Sequence, residues 1–98
     1  VSERVTGVRG RFCAAHYSPE GALHGHSYLV SVAFAEAEDA RPLKLQLDRV
    51  LSTLDHCELP RMLSRAEDLA EHIALACPGA IEVVVDRPLD DFFGRWHA

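Results

Sequence analysis

Phe12-Cys13-Ala14-Ala15-His16 and Leu23-His24-Gly25-His26-Ser27-Tyr28 place three of the chain's six histidines within eleven positions. In a β-strand successive side chains point to opposite faces, so residues two apart share a face. His24 and His26 can therefore aim at one point, with Gly25 between them adding no bulk. An antiparallel neighbour strand would let His16 supply a third imidazole across the ladder. Three nitrogens with one position left open are the donor set of a catalytic zinc ion. The plainer reading stands beside it: a lone histidine is usually a surface or hydrogen-bonded residue, and His-x-His also occurs in strands that bind nothing.

Working outward, the chain alternates from His24 to about Glu36. His24, His26, Tyr28, Val30, Val32 and Phe34 fall on one face, and Leu29, Ser31, Ala33 and Ala35 on the other. That is a strand. The segment from about Arg4 to Ala15 reads as its antiparallel partner across the turn Tyr17-Ser18-Pro19-Glu20-Gly21. Gly7 and Gly10 would allow a bulge or twist there. Leu43, Leu47, Val50, Leu51 and Leu54 recur at helical spacing, which predicts a helix from about Pro42 to Leu54, with Pro42 in its first turn. A short strand over Leu43 to Leu47 is the lesser alternative.

Ser64-Arg65-Ala66-Glu67 has the form of a capping box opening a second helix, which Cys77-Pro78-Gly79 stops. Ala80 to Val85 reads as a strand bounded by Asp86-Arg87-Pro88, and the tail with Phe92, Phe93 and Trp96 as a last strand. The order β-β-α-α-β-β predicts an α+β domain, an antiparallel sheet with two helices on one face.

Residues 1–98 read as one domain, because 98 residues leave no room for a second core. So short a chain buries only about two-thirds of its unfolded surface, and self-association would add burial. A formal charge of -5, with no basic run, argues against nucleic acid as a partner. Three widely separated cysteines, Cys13, Cys57 and Cys77, form neither a zinc ribbon nor a disulfide framework, so a reducing cytoplasm is expected. No apolar run approaches a membrane span. Cys13, among small residues on an apolar strand, is expected to be buried.

Asp55-His56 lies just past the first helix. A carboxylate can fix an imidazole's tautomer and raise its basicity, or the pair can be a solvated helix end. Glu20 can be a general base, a fourth ligand or a turn residue. Glu67 reads as a cap. Asp86 can accept hydrogen bonds from a donor-rich heterocycle or begin the Asp-Arg-Pro turn. His72 and His97 look like surface residues.

Phe12-Cys-Ala-Ala-His16, Leu23-His-Gly-His26-Ser-Tyr28 and Leu54-Asp-His56-x-x-Leu59 together resemble the 6-pyruvoyl-tetrahydropterin synthase family, which includes the 6-carboxy-tetrahydropterin synthases of queuosine biosynthesis. The resemblance runs over nearly the whole chain. It implies the tunnelling fold (T-fold) and zinc (Zn2+) held by His16, His24 and His26. It also implies Asp55 and His56 as the proton-transfer pair, and Glu67 and Asp86 as contacts to a small-molecule dihydropterin. The family's subunits assemble into trimers or hexamers with active sites shared between subunits. Family members with the full activity carry a cysteine four residues before His-Gly-His, where this chain has Glu20. The pterin-binding glutamate is replaced by Asp86. The expected activity is a zinc-dependent lyase acting on a dihydropterin side chain, with a weak relative that binds pterin or purine without turnover as the alternative.

Overall fold

The computed structural model describes residues 3–98. Its longest elements are two 13-residue strands, β1 (Val5–Tyr17) and β2 (Leu23–Ala35). They pair antiparallel in unbroken register from Val5↔Ala35 to Tyr17↔Leu23. The five residues that join them close on themselves: the Ser18 amide donates to the Ala22 carbonyl at 2.8 Å and the Gly21 amide to the Ser18 carbonyl at 2.9 Å. Gly21 has φ +85°, a conformation that costs little only without a Cβ.

After β2 come α1 (Arg41–Ser52), β3 (Cys57–Glu58), a 3-10 turn (Arg61–Leu63), α2 (Ala66–Ala76), β4 (Ala80–Arg87) and β5 (Phe92–His97). The sheet order is β3-β1-β2-β4-β5. Every pairing is antiparallel except the short parallel contact of β3 with β1. This is the α+β arrangement that the alternation and helical spacing predict, with α1 where Pro42 opens a first turn and no strand over Leu43 to Leu47.

One sheet face carries the core. Val8, Phe12 and Ala14 of β1, Tyr28, Val30, Val32 and Phe34 of β2, and Val83 and Val85 of β4 are buried on it. Leu47 and Leu51 of α1 and Leu69, Ala70, Ile73 and Ala74 of α2 complete it from above. Phe12 stacks on its cross-strand neighbour Tyr28 with centroids 4.7 Å apart, worth roughly 0.5–1.5 kcal/mol beyond area burial.

Three local expectations change. First, Ser64 does not cap α2. It closes the 3-10 turn in helical geometry (φ -74°), and extended Arg65 is the residue before the helix, with no side-chain cap bond. Second, β1 carries no bulge at Gly7 or Gly10. The irregularity lies instead between Ala33 and Phe34 of β2, opposite β4. Gly10 is there for clearance, since a Cβ would stand 2.6 Å from Leu51 Cδ1 of α1. Third, Cys13 is exposed, because odd positions of β1 point away from the helices.

Gly94 shows the same clearance with less give. A Cβ would meet the Glu67 amide nitrogen at 2.2 Å and the Ala66 carbonyl carbon at 2.4 Å. Both are backbone atoms of α2 and cannot rotate away, whereas Leu51 can. Gly94→Ala should therefore destabilise the fold by about 1–3 kcal/mol or more, and by more than Gly10→Ala. Urea unfolding midpoints of the two variants check the order; equal losses would refute it.

Candidate functional site

The pleat decides which side chains meet at the far end of the β1–β2 hairpin. Even-numbered positions of both strands face the core, so His16, His24 and His26 all emerge on the helix-bearing face, beyond its packed apolar part. His16 lies directly opposite His24, and His26 opposite Ala14, one diagonal from His16. Their ring centroids stand 4.8 Å apart for His16 and His26, 6.2 Å for His24 and His26, and 6.5 Å for His16 and His24.

Nitrogens at about 2.0–2.1 Å from one zinc ion would put ring centroids roughly 5 Å apart. His16 and His26 stand at that spacing, while the more exposed His24 is over an ångström further out. Among the described residues no three His, Cys, Asp or Glu side chains have their ligating atoms already gathered around one point. Two other observations bear on the fit. The Nε2 of His16 is buried with no hydrogen-bond partner, as is the hydroxyl of Tyr28, whose ring lies 6.0 Å from that of His26. An orphaned buried donor or acceptor is costly unless something satisfies it. Burial first, then the neighbouring Arg87 and His16, hold His26 below the ordinary imidazole range, which favours the neutral ring that ligates metals. The donor types are those zinc takes, with His16 and His26 at the required spacing and His24 outside it.

Asp55 and His56 are held at the edge of the same end. Leu54 and Leu59, both buried, anchor the segment on either side. Its backbone clips onto β1 through His56 amide to Cys13 carbonyl (2.6 Å) and Leu59 amide to Ala15 carbonyl (2.7 Å). Asp55 divides its carboxylate: Oδ1 accepts the Cys13 amide at 2.9 Å, and Oδ2 lies 2.8 Å from His56 Nδ1. His56 sits at φ +56°, uncommon for a residue with a Cβ. Its ring is largely exposed, with Nε2 unencumbered by Asp55.

An open cleft of about 720 Å3 joins the two groups, lined among others by His24, His26, His56, Cys57, Glu58 and Asp90. That volume is ordinary for a small-molecule site. Cys13 lines it too, a thiol that its apolar neighbours had suggested was packing.

The other expected residues lie elsewhere within the chain. Glu20 is in the exposed hairpin turn and does not line the cleft. Its carboxyl is lowered first by its own backbone amide and then by Ser18, with a smaller pull from His24. Glu67 opens α2, is paired with Arg65, and borders a separate hollow with Arg87 and Phe92. Asp86 pairs with Leu29, so it faces away from the histidines. Nor does it begin the following turn, which runs from the Arg87 carbonyl to the Asp90 amide (3.0 Å).

Two residues at the site carried no sequence signal. The Arg87 guanidinium contacts His26 Nδ1 at 3.0 Å and Asp90 at 2.9 and 3.1 Å. It also lies 5.6 Å over the Phe92 ring. Only the alternation through Val83 and Val85, carried two residues past the expected strand end, would have put Arg87 on the histidine face.

No protein-family model matches the chain, and no curated protein matches it by sequence. Among solved structures it is similar to the 6-pyruvoyl tetrahydropterin synthase of Caenorhabditis elegans. The TM-score is 0.80 at 17% identity, over 99% of this chain and 96% of that one. The fold is the T-fold of that enzyme. Among the described residues no helix is long and apolar enough to cross a membrane.

The Asp55 carboxyl is held below its usual range, first by the Cys13 amide and then by His56. A depressed acid stabilises the fold above its unfolded pKa and loses that contribution as pH falls through the folded one. Asp55→Asn should be less stable than the unaltered chain at pH 7, with the gap closing below about pH 4. Urea midpoints measured across pH check this, and a gap independent of pH would show that the charge plays no part.

Proposed function

We propose that this chain is a zinc-dependent lyase acting on the side chain of a dihydropterin, akin to the 6-pyruvoyl- and 6-carboxy-tetrahydropterin synthases. The observation that carries the reading is three imidazoles on one face of the hairpin, one with an orphaned buried nitrogen, with His24 and His26 sharing a cleft with the carboxylate-braced His56. His16, His24 and His26 would hold the ion. When bound, it supplies Lewis acidity to the side-chain hydroxyls.

The chain's own residues do the rest. Asp55 keeps the Nδ1 of His56 engaged, so the Nε2 of that ring is the atom that takes or returns a proton. Glu20, in the exposed hairpin turn, is the second proton acceptor of this reading, weakened by its lowered pKa and by standing off the cleft. Glu67 and Asp86 do not reach the cleft of their own chain. A role in gripping the pterin ring requires the cleft of a second copy, which suits a homo-oligomer, trimer or hexamer, with shared sites.

The charge of the cleft bears on the substrate. Its wall offers Glu58 and Asp90, and Asp90 is paired with the Arg87 guanidinium that stands beside His26. A triphosphate tail calls for cationic or amide donors and Arg87 is such a donor, so the reaction is either triphosphate expulsion or retro-aldol cleavage to a 6-hydroxymethyl dihydropterin. The second reading, a pterin- or purine-binding relative without turnover, draws on Glu20, which replaces a thiol and stands off the cleft.

Incubation of the zinc-loaded protein with dihydroneopterin and with its triphosphate, followed by product identification, separates these. Product from the first marks retro-aldol cleavage, and product from the second with release of triphosphate marks expulsion. His56→Ala should lower turnover by about 10²–10⁴-fold with metal content unchanged. Equal turnover in Glu20→Ala, Glu20→Cys and the unaltered chain would remove Glu20 from the mechanism. No product from either compound, with pterin still bound, would leave the binding relative.

A further inference from the structure

We infer that Asp90, held in place by Arg87, is the positioning residue that decides which nitrogen of His26 is offered to a metal ion. The inference rests on the metal-centre reading above and deepens it. A guanidinium has five N–H donors and no acceptor. Its 3.0 Å contact with His26 Nδ1 therefore makes that nitrogen an acceptor, which leaves the single proton of the neutral ring on Nε2. In that tautomer neither nitrogen has a free lone pair: one accepts from Arg87, the other carries hydrogen.

Ligation through Nε2 requires the opposite tautomer, with Nδ1 protonated and donating. The acceptor is already beside it. Asp90 Oδ2 lies 3.5 Å from His26 Nδ1 and is the same oxygen that receives both Arg87 bonds. A proton moves from Nε2 to Nδ1 through solvent, and a small rotation exchanges Arg87 for Asp90 as the partner of that ring. Nothing else in the arrangement has to move, because Arg87 is held from two sides. Its side chain is only 18% exposed, bonded to Asp90 and seated over Phe92. A carboxylate behind a ligating imidazole is the usual means of fixing tautomer and orientation.

Zinc affinity, read by competition with a chromophoric chelator, and the ring tautomer of His26, read by long-range proton–nitrogen correlation, test this together. Asp90→Ala should lower zinc affinity by about 10–100-fold, and Asp90→Glu should recover part of it. In the metal-free chain His26 should carry its proton on Nε2, and in the zinc form on Nδ1. Unchanged affinity in Asp90→Ala, or a metal-free His26 already protonated at Nδ1, would overturn the assignment. If the unaltered chain takes up no zinc, the metal-centre reading itself fails, an outcome distinct from normal zinc uptake that ignores Asp90. Circular dichroism of Asp90→Ala guards against a folding defect, and the tautomer of the unaltered chain needs no variant.

Discussion

The β1–β2 ladder is the constraint on which the rest of this molecule depends. Thirteen consecutive pairs hold two strands in one register. That register places the apolar even positions under the helices and the histidine even positions just beyond them. Core and candidate site are thus two lengths of a single face. Hydrophobic burial of Val8, Phe12, Tyr28, Val30 and Val32 fixes the first length, and the second inherits its geometry through the backbone. The imidazoles need little packing of their own to be aimed.

A second dependency runs through the edge. Asp55 is tied to the same ladder by the Cys13 amide, and the His56 amide by the Cys13 carbonyl. The strand that carries His16 is therefore also the strand that positions the proton-transfer candidate. Leu54 and Leu59 supply the burial that holds this short segment down, at a point where two residues of parallel pairing alone would be weak. Electrostatics follow from it: Asp55 stays a carboxylate because a backbone amide and an imidazole both favour its charged form.

The main elements were legible in the sequence because they rest on periodicity. Alternation through Phe34 and the helical recurrence of Leu47, Val50 and Leu51 each reflect one buried face, and each element formed where that pattern lies. What escaped was set by contacts between distant segments. The two-residue β3 has no period to read. Ser64 looked like a cap because its spacing to Glu67 is right, yet the preceding 3-10 turn claims it. Cys13 looked buried from its neighbours, while the pleat sends it outward. Within the site, the histidines and Asp55-His56 were visible as spacing. Arg87 and Asp90 were not, because the pairing of β4 with β2, sixty-one positions away, sets the guanidinium beside His26, and the turn after β4 adds Asp90.

The five-residue closure between Tyr17 and Leu23 holds a quantity that no single side chain carries: the count of residues around the bend. A strand displaced by one position presents its opposite face. Loss of one residue from that bend, with Phe12 still stacked on Tyr28, would leave the core intact but force the tip to close on different partners, separating His16 from His24. Insertion would do the same in the other sense. Loop length here bears on the candidate site as much as the imidazoles themselves, and Gly21, at φ +85°, lets the bend close in five residues.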